Sequence, residues 1–449
     1  MELKKGYKKT DIGVIPEDWK LSRMGEFVDL LTGFPFSSIN YSDTGIKLLR
    51  CANIKRGNTD WSHDITNFWN EITPELTKYL LKEKDVVIAM DGSLVGKSFA
   101  QLSKDDVPSL LLQRVARVRS KSVDINFIKE FVCSTYFTEH CDKVKTSSAI
   151  PHISPKDIND FKIPLPPTLK EQKAIATVLT DTDELINNLK TLIAKKKAVK
   201  QGTLQELLTG KKRLEGFKGE WQNLTINSMC KTFTKQTGFD YSNHIKPTLV
   251  NRKTKEVIPF IQNKDFEGHK INFDTDYYVP SSVAERFPMI LLDEKCFLIS
   301  ISGSIGKVGV FCNTKTAFIG GAVAVGKFFK PSQLDWVMFY LLSKSGQNEL
   351  FRNVKAGSHQ NLILDDIRKI KVPIPSTKEQ KAVVKILNDM DAEIQALKAQ
   401  LQKTQSLKQG MMQDLLTGKT RLIKPQKYEV EDTLAMAAEP NEAYTRENK

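Results

Sequence analysis

Apolar residues recur at alternating intervals of three and four along two long stretches of this chain. In the first they are Ile175, Val178, Leu179, Leu185, Ile186, Leu189, Leu192, Ile193 and Val199. In the second they are Val383, Ile386, Leu387, Met390, Ile394, Leu397, Leu401, Leu407 and Met411. That spacing predicts two long helices, each with a narrow seam of the coiled-coil kind. From Lys170 to Leu208 such a helix rises about 58 Å at 1.5 Å per residue, too long to be buried in one ordinary domain. Its stripe needs a partner, and the other copy is the obvious one.

The two stretches are copies of each other. Lys170–Leu214 aligns with Lys378–Leu422 without a gap, at a constant offset of 208 positions. K-E-Q-K-A opens each copy, and L-L-T-G-K followed by R-L closes each. The identities bunch at these two ends. Gly210 and Gly418 read as helix stops, and Pro164, Pro166 and Pro167, with Pro373 and Pro375, as rigid lead-ins that cannot be helix interior. The residues expected to pair the helices are Ile175, Leu179, Ile186, Leu189 and Leu192 on the first, and Ile386, Met390, Ile394, Leu397 and Leu401 on the second.

Before each helix lies a globular stretch. Short apolar runs between glycine and polar turns read as strands: Ile46–Leu49, Val86–Met90 and Ser109–Val118 in the first, and Val257–Ile261, Cys296–Ile301 and Val308–Phe311 in the second. Ile125–Cys141 and Leu334–Phe351 read as helices. The predicted fold class is mixed α/β. The expected divisions are a polar lead at 1–16, globules at 17–160 and 215–370, helical segments at 161–214 and 371–424, and a disordered tail at 425–449. The globules echo each other faintly: Trp19 and Trp221; Thr32-Gly33-Phe34 and Thr237-Gly238-Phe239; and the glycine-serine loops Gly92–Lys97 and Gly303–Lys307. Ile150–Ile153 echoes His359–Leu362 before the proline lead-ins. Helices that agree better than globules suggest one job done twice by the helices and related but different jobs by the globules.

Composition narrows the partner. Apolar residues make up 40% of the 449, enough for sizeable cores, and the net charge of +14 favours an acidic partner, nucleic acid before membrane. None of the six cysteines forms a C-x-x-C pair, which argues against a zinc ribbon or a disulfide framework and for reduced thiols in the cytoplasm. No apolar run approaches the roughly 20 residues that span a bilayer.

Catalytic motifs are weak. A P-loop needs four residues between its glycine and Gly-Lys, whereas Gly92–Gly96 encloses three and Gly303–Gly306 encloses two. Asp276, Asp293 and Lys295 have nuclease-like spacing but no counterpart in the first globule. No N-P-P-Y or D-P-P-Y stretch suggests an amino-methyltransferase, and His140 with Cys133 and Cys141 makes a poor metal site. The glycine-serine loops suit a phosphate backbone better: glycine lets the chain approach closely, and serine and lysine supply donors and charge.

The layout resembles the specificity subunits of type I restriction-modification systems. The residues that carry the resemblance are Gly13-Val14-Ile15-Pro16-Glu17-Asp18-Trp19, the I-P-L-P-P and V-P-I-P lead-ins, the K-E-Q-K-A openings and L-L-T-G-K-x-R-L, over about 10–424. The resemblance implies two target recognition domains in a pseudo-twofold tandem, each reading half of a bipartite double-stranded DNA site. It implies antiparallel helices forming a coiled coil that sets the spacer and docks modification subunits, two of them. It further implies restriction subunits reached through the complex, no catalysis and no metal in this chain, and S-adenosylmethionine, ATP and magnesium on the partners. The alternative is a coiled-coil adaptor that binds DNA without sequence preference.

Base edges are read by arginine, lysine, asparagine and glutamine with aromatics nearby. The DNA-binding candidates in the first half are Gly33, Phe34, Arg50, Asn53, Lys55, Arg56, Ser93, Lys97, Gln113, Arg114 and His152. Those in the second are Gly238, Phe239, Tyr241, Arg252, Gln262, Asn263, Lys264, Ser304, Lys307, His359, Gln360 and Asn361.

Overall fold

A computed structural model describes residues 5–312, 315–354 and 360–423. The expected tail at 425–449 and candidate His359 lie outside the described residues. The chain divides into two compact units, Met1–Asn188 with Leu401–Lys449, and Leu189–Gln400, so the division falls inside both long helices.

In the first unit a four-stranded antiparallel sheet runs in the order Val28–Thr32, Val115–Ser120, Val86–Ala89, Phe99–Gln101. Alternate side chains of a strand leave on opposite faces. Val86 and Ile88 accordingly join Phe127, Phe131, Ile175, Leu179, Leu415 and Leu416 in one core, while Val87 and Ala89 join Leu49, Leu111 and Val115 in another. A sheet covered on both faces explains why all four residues of Val86–Ala89 are buried. Ile46–Leu49 pairs parallel with Ser109–Leu111 and antiparallel with Phe68–Trp69.

The second unit repeats this plan. Its sheet runs Cys230–Lys235, Val323–Phe328, Cys296–Ser300, Val308–Phe311. Phe297 and Ile299 face a core with Trp336, Leu204, Leu208 and Leu387, and Leu298 faces one with Val323, Val325 and Phe311. Val257–Ile261 pairs parallel with Ala317–Ile319 and antiparallel with Tyr278–Pro280.

The two expected globular helices are each broken once. Ile125–Val132 ends before Ser134, which starts Thr135–Val144, and Leu334–Leu342 ends before Ser343, which starts Lys344–Phe351. Both serines are extended, and the Ser343 hydroxyl accepts from the Gly346 N–H as an N-cap. The apolar pattern runs across each break, so it reads as one helix. The predicted run Ser109–Val118 is also two strands, Ser109–Leu111 and Val115–Ser120. The described part of the expected polar lead, residues 5–16, is structured: Tyr7–Thr10 pairs with Gly13–Pro16 in a hairpin, Ile15 is buried, and Tyr7 Oη donates to the Gly418 carbonyl.

The long helices span Leu169–Leu207 and Thr377–Leu416. The matched ends of the two copies meet. In the first unit Arg421 forks onto Glu171 through two bonds of 2.8 and 2.7 Å, and Lys408 lies 2.6 Å from Asp183. In the second Arg213 forks onto Glu379 at 2.9 and 2.6 Å, Lys200 lies 2.5 Å from Asp391, and Lys196 lies 2.6 Å from Glu393. Within each unit one helix number rises as its partner falls, so the paired segments run in opposite directions. Each K-E-Q glutamine donates back to its proline lead-in, Gln172 to the Pro166 carbonyl and Gln380 to that of Pro375.

The seam is less apolar than its pattern. Ile175, Leu179, Ile186, Leu189, Ile193 and Ile394 are buried, and Ile386, Met390, Leu397 and Leu401 are half-buried. Leu192, an expected pairing residue, is 38% exposed, and Leu185, Val199 and Leu407 are exposed with it. Leu185, Leu192 and Val199 stand seven apart, one step off the buried row, while Asp183, Lys200 and Lys408 occupy inward places that an apolar count passes over.

Candidate nucleic-acid interface

In the first unit four separated stretches meet at the end of the sheet. Arg114 Nη1 donates to Asp91 Oδ2 at 2.7 Å, and the Cys51 thiol donates to Asp91 Oδ1 at 3.0 Å. The Met90 N–H donates to the Arg114 carbonyl, the Gly92 N–H to that of Pro151, and the Ile153 N–H to that of Met90. Asp91 and His152 form an antiparallel bridge. Loops at 50–53, 90–97, 112–115 and 146–153 are thereby fixed as one surface. Arg56, Ser93, Lys97, Gln113, Arg114 and His152 stand exposed on these loops and the adjoining turn. Burial first, and Asp91 second, push the Cys51 thiol up to about 12, so it stays a neutral donor. The hydrogen bond from Arg114 to Asp91 holds that guanidinium above its ordinary value.

The second unit builds the same junction from different side chains. Asn263 Nδ2 donates to the Ser302 carbonyl at 2.9 Å, Lys307 Nζ to the Asn263 carbonyl at 2.8 Å, and Ser302 bridges Asn361. The Ser300 hydroxyl donates to the Ser304 carbonyl and accepts from the Lys307 N–H, which holds the glycine-serine turn. Asn263 here takes the place of Cys51, and Ser302 that of Asp91. Both follow the same local rule: a short 3-10 turn is closed by a buried side chain accepting from the N–H three residues earlier. That acceptor is Asn53 for Arg50 and Asp265 for Gln262. Gln360 and Asn361 are exposed beside this junction.

Several candidates are structural instead. Asn53 is fully buried and donates to the Asp60 carbonyl besides closing its turn. Arg50 spends Nη2 on the Ile65 carbonyl at 2.5 Å, tying down the 60–67 loop. A Cβ on Gly33 would come within 2.1 Å of the Leu112 carbonyl oxygen, so only glycine fits there. Phe34 packs its ring against Phe36 and Tyr79. The Thr-Gly-Phe echo is therefore not structural: Gly238 faces open space at the start of Gly238–Asp240, and Phe239 is exposed. Tyr241 stacks over Phe260, Lys264 pairs with Asp276, Lys55 lies 3.5 Å from Asp60, and Arg252 is exposed on a separate loop. Asp293 and Lys295 bind Lys327 and Asp335, so with Asp276 they do not converge. His140 Nε2 lies 2.7 Å from the Asp157 carbonyl oxygen, and Cys141 is buried.

Sequence reasoning missed Asp91 and Cys51, which orient Arg114, and the exposed apolar residues Leu94, Ile150 and Ile363 beside the junctions. Asp91 stood next to the glycine of its loop, an Asp-Gly turn whose partner lies 23 residues away.

Two α/β units that each gather basic and amide side chains onto loops at a sheet end, on paired helices, define a two-domain DNA-recognition protein. Residues 16–199 and 218–407 both match the type I restriction modification DNA specificity domain, and the chain belongs to that family. It is 34% identical over 186 residues to the EcoAI specificity subunit of Escherichia coli, covering 40% of this chain and 31% of that one. It is 24% identical over 442 residues to the MjaVIII specificity subunit of Methanocaldococcus jannaschii, covering 91% and 94%. A solved type I S subunit from M. genitalium shares the fold at TM-score 0.56 and 16% identity, over 93% of this chain and 98% of that one. Among the described residues no helix is long and apolar enough to cross a membrane.

Proposed function

We propose that this chain reads a bipartite site in double-stranded DNA, one block per unit, and that the long helices form a coiled coil setting the spacer. The observation that carries this reading is the pair of junctions: the same turn and bridge in both units, with Cys51, Asp91 and Arg114 in one and Asn263, Ser302 and Lys307 in the other. One construction with different side chains is what two readers of different sequences require. Against the non-specific adaptor, Arg114 and His152 in the first unit and Lys307 in the second are each held by a defined partner: Asp91, Thr146 and the Asn263 carbonyl.

The boundaries proposed for the recognition domains are 17–160 and 215–370, with helical segments at 161–214 and 371–424 in a pseudo-twofold tandem. Identical ion pairs at the helix ends support that repeat. Two modification subunits dock on the helices and restriction subunits join through the complex. S-adenosylmethionine, ATP and magnesium belong to those partners, and this chain is not itself an enzyme. It works in the cytoplasm, beside its partners and its DNA.

The test is exchange. Residues 17–160 are replaced by those of a relative, the chain is co-expressed with its modification subunits, and methylated sites are mapped by sequencing. One block should change and the other stay. A change in both blocks, or methylation without any motif, removes divided reading.

A further inference from the structure

Arg114 has φ +65, and among the described residues only Lys84 shares a left-handed backbone without being glycine. For an arginine that conformation is held by its surroundings, and such positions cluster at functional sites. The carbonyl of Arg114 is fixed by the Met90 N–H, with the Cys51 sulfur 3.0 Å away, and its side chain by Asp91. Asp91 is itself only 15% exposed, whereas the Arg114 side chain is 66% exposed. Asp91 takes Nη1 alone, and among the described residues Nη2 and Nε carry no hydrogen bond.

Two uses are open to an exposed arginine on a DNA-facing loop. A phosphate contact needs net positive charge and tolerates a loose side chain. A carboxylate 2.7 Å away opposes that use, because it cancels the charge and repels the phosphate. A guanine edge is neutral and presents two acceptors, N7 and O6, to a fork of fixed direction. There the aspartate costs nothing and supplies orientation. The strained backbone, the half-buried carboxylate and the free donors all serve direction rather than charge.

The second unit lacks this device. At the offset of 208 from Arg114 stands Ala322, and Ser302 occupies the place of Asp91 in the bridge to the 360–362 segment. We propose that Arg114, aimed by Asp91, reads a guanine through the major groove in the block taken by the first unit. The second unit reads no guanine from the equivalent place, since Ala322 has no side-chain donor there. This rests on the sequence-specific reading above and names one base of it.

The full chain, assembled with its modification subunits, is used to select bound duplexes from a randomised pool, which are then sequenced. The wild type should select two blocks, one of them with an invariant G·C pair. Changing that pair to A·T should weaken wild-type binding roughly ten- to a hundred-fold. Arg114→Gly suits the positive φ, so it removes the fork without adding strain. It should bind G·C and A·T alike at that pair while keeping the other block intact. Arg114→Lys keeps the charge and should lose the same discrimination. Asp91→Asn keeps the fold of the loop by an independent route and should lose part of it. A wild-type motif retained in full by Arg114→Gly overturns the proposal, as does an equal loss of affinity for every duplex, which marks a phosphate contact. A wild type that selects no motif overturns the sequence-specific reading, and this inference with it.

Discussion

Glu130 is fully buried against the helix pair, and its charge is answered by two lysines. Lys129 lies 2.6 Å away and Lys408 3.6 Å, and both also reach Asp183, at 3.0 and 2.6 Å. Burial pulls the Lys129 ammonium down, but Glu130 and Asp183 outweigh it and hold the group above the ordinary lysine range. Removing one partner of such a buried set leaves a charge without an answer, at roughly 3–5 kcal/mol. Lys408→Met keeps the stem and should destabilise the chain by about that much, read as a lower urea midpoint with an unchanged slope. The direction of the pH dependence is set by Asp183. Burial raises its pKa, but Lys129 and Lys408 more than compensate, so it is lower folded than unfolded. Its contribution is fully present above the unfolded value, about 3.9, and disappears as pH falls through the folded one. Wild type should therefore lose stability more steeply than Asp183→Asn below about pH 4. Parallel curves in urea titrations would remove this account.

At the scale of the helix, burial separates residues that sequence places together. Leu189 is 5% exposed and Leu192 is 38% exposed, although both belong to one apolar run. Leu189→Ala should cost about 2–5 kcal/mol. Leu192→Ala should stay within about 0.5 kcal/mol, as a surface change does. Equal losses on chemical denaturation would mean that the seam lies elsewhere on the helix. The positions that pair the helices at their ends are polar: Glu171 and Glu379 are buried, each under an arginine fork. This accounts for identity bunched at the ends of the repeat, because each opening meets the closing segment of the other copy. Geometry there admits only a carboxylate and a guanidinium, whereas the middle admits many apolar substitutes.

For the whole molecule the prediction concerns spacing. Four residues inserted after Gln201 lengthen the first long helix by roughly 6 Å and rotate the downstream chain by about 40°. DNA advances about 3.4 Å per base pair. The preferred spacer should shift by one or two base pairs while both blocks keep their sequence, as methylation mapping would show. An unchanged spacer with full activity would falsify the ruler and leave the helices a docking platform.

Periodicity and repetition settle long-range architecture because they are written in the order of residues. The offset of 208 and the stops at Gly210 and Gly418 stand in the order of residues alone, and those glycines do take φ +73 and +68. The sheet strands Val86–Ala89 and Cys296–Ser300 were legible for the same reason. The interface was legible only as a set of loops. Asn53 and Arg114 looked alike as polar residues on turns, yet one closes a buried turn and the other stands outward on Asp91. That difference arises from pairings across sheet strands, which bring residue 51 beside 91 and 114. The charges in the seam were hidden likewise, since an apolar count assigns lysine and aspartate to solvent. The order of residues determined a doubled chain of globule and helix. Only tertiary packing decided which polar groups are buried and paired and which stay exposed, because burial depends on neighbours distant in sequence.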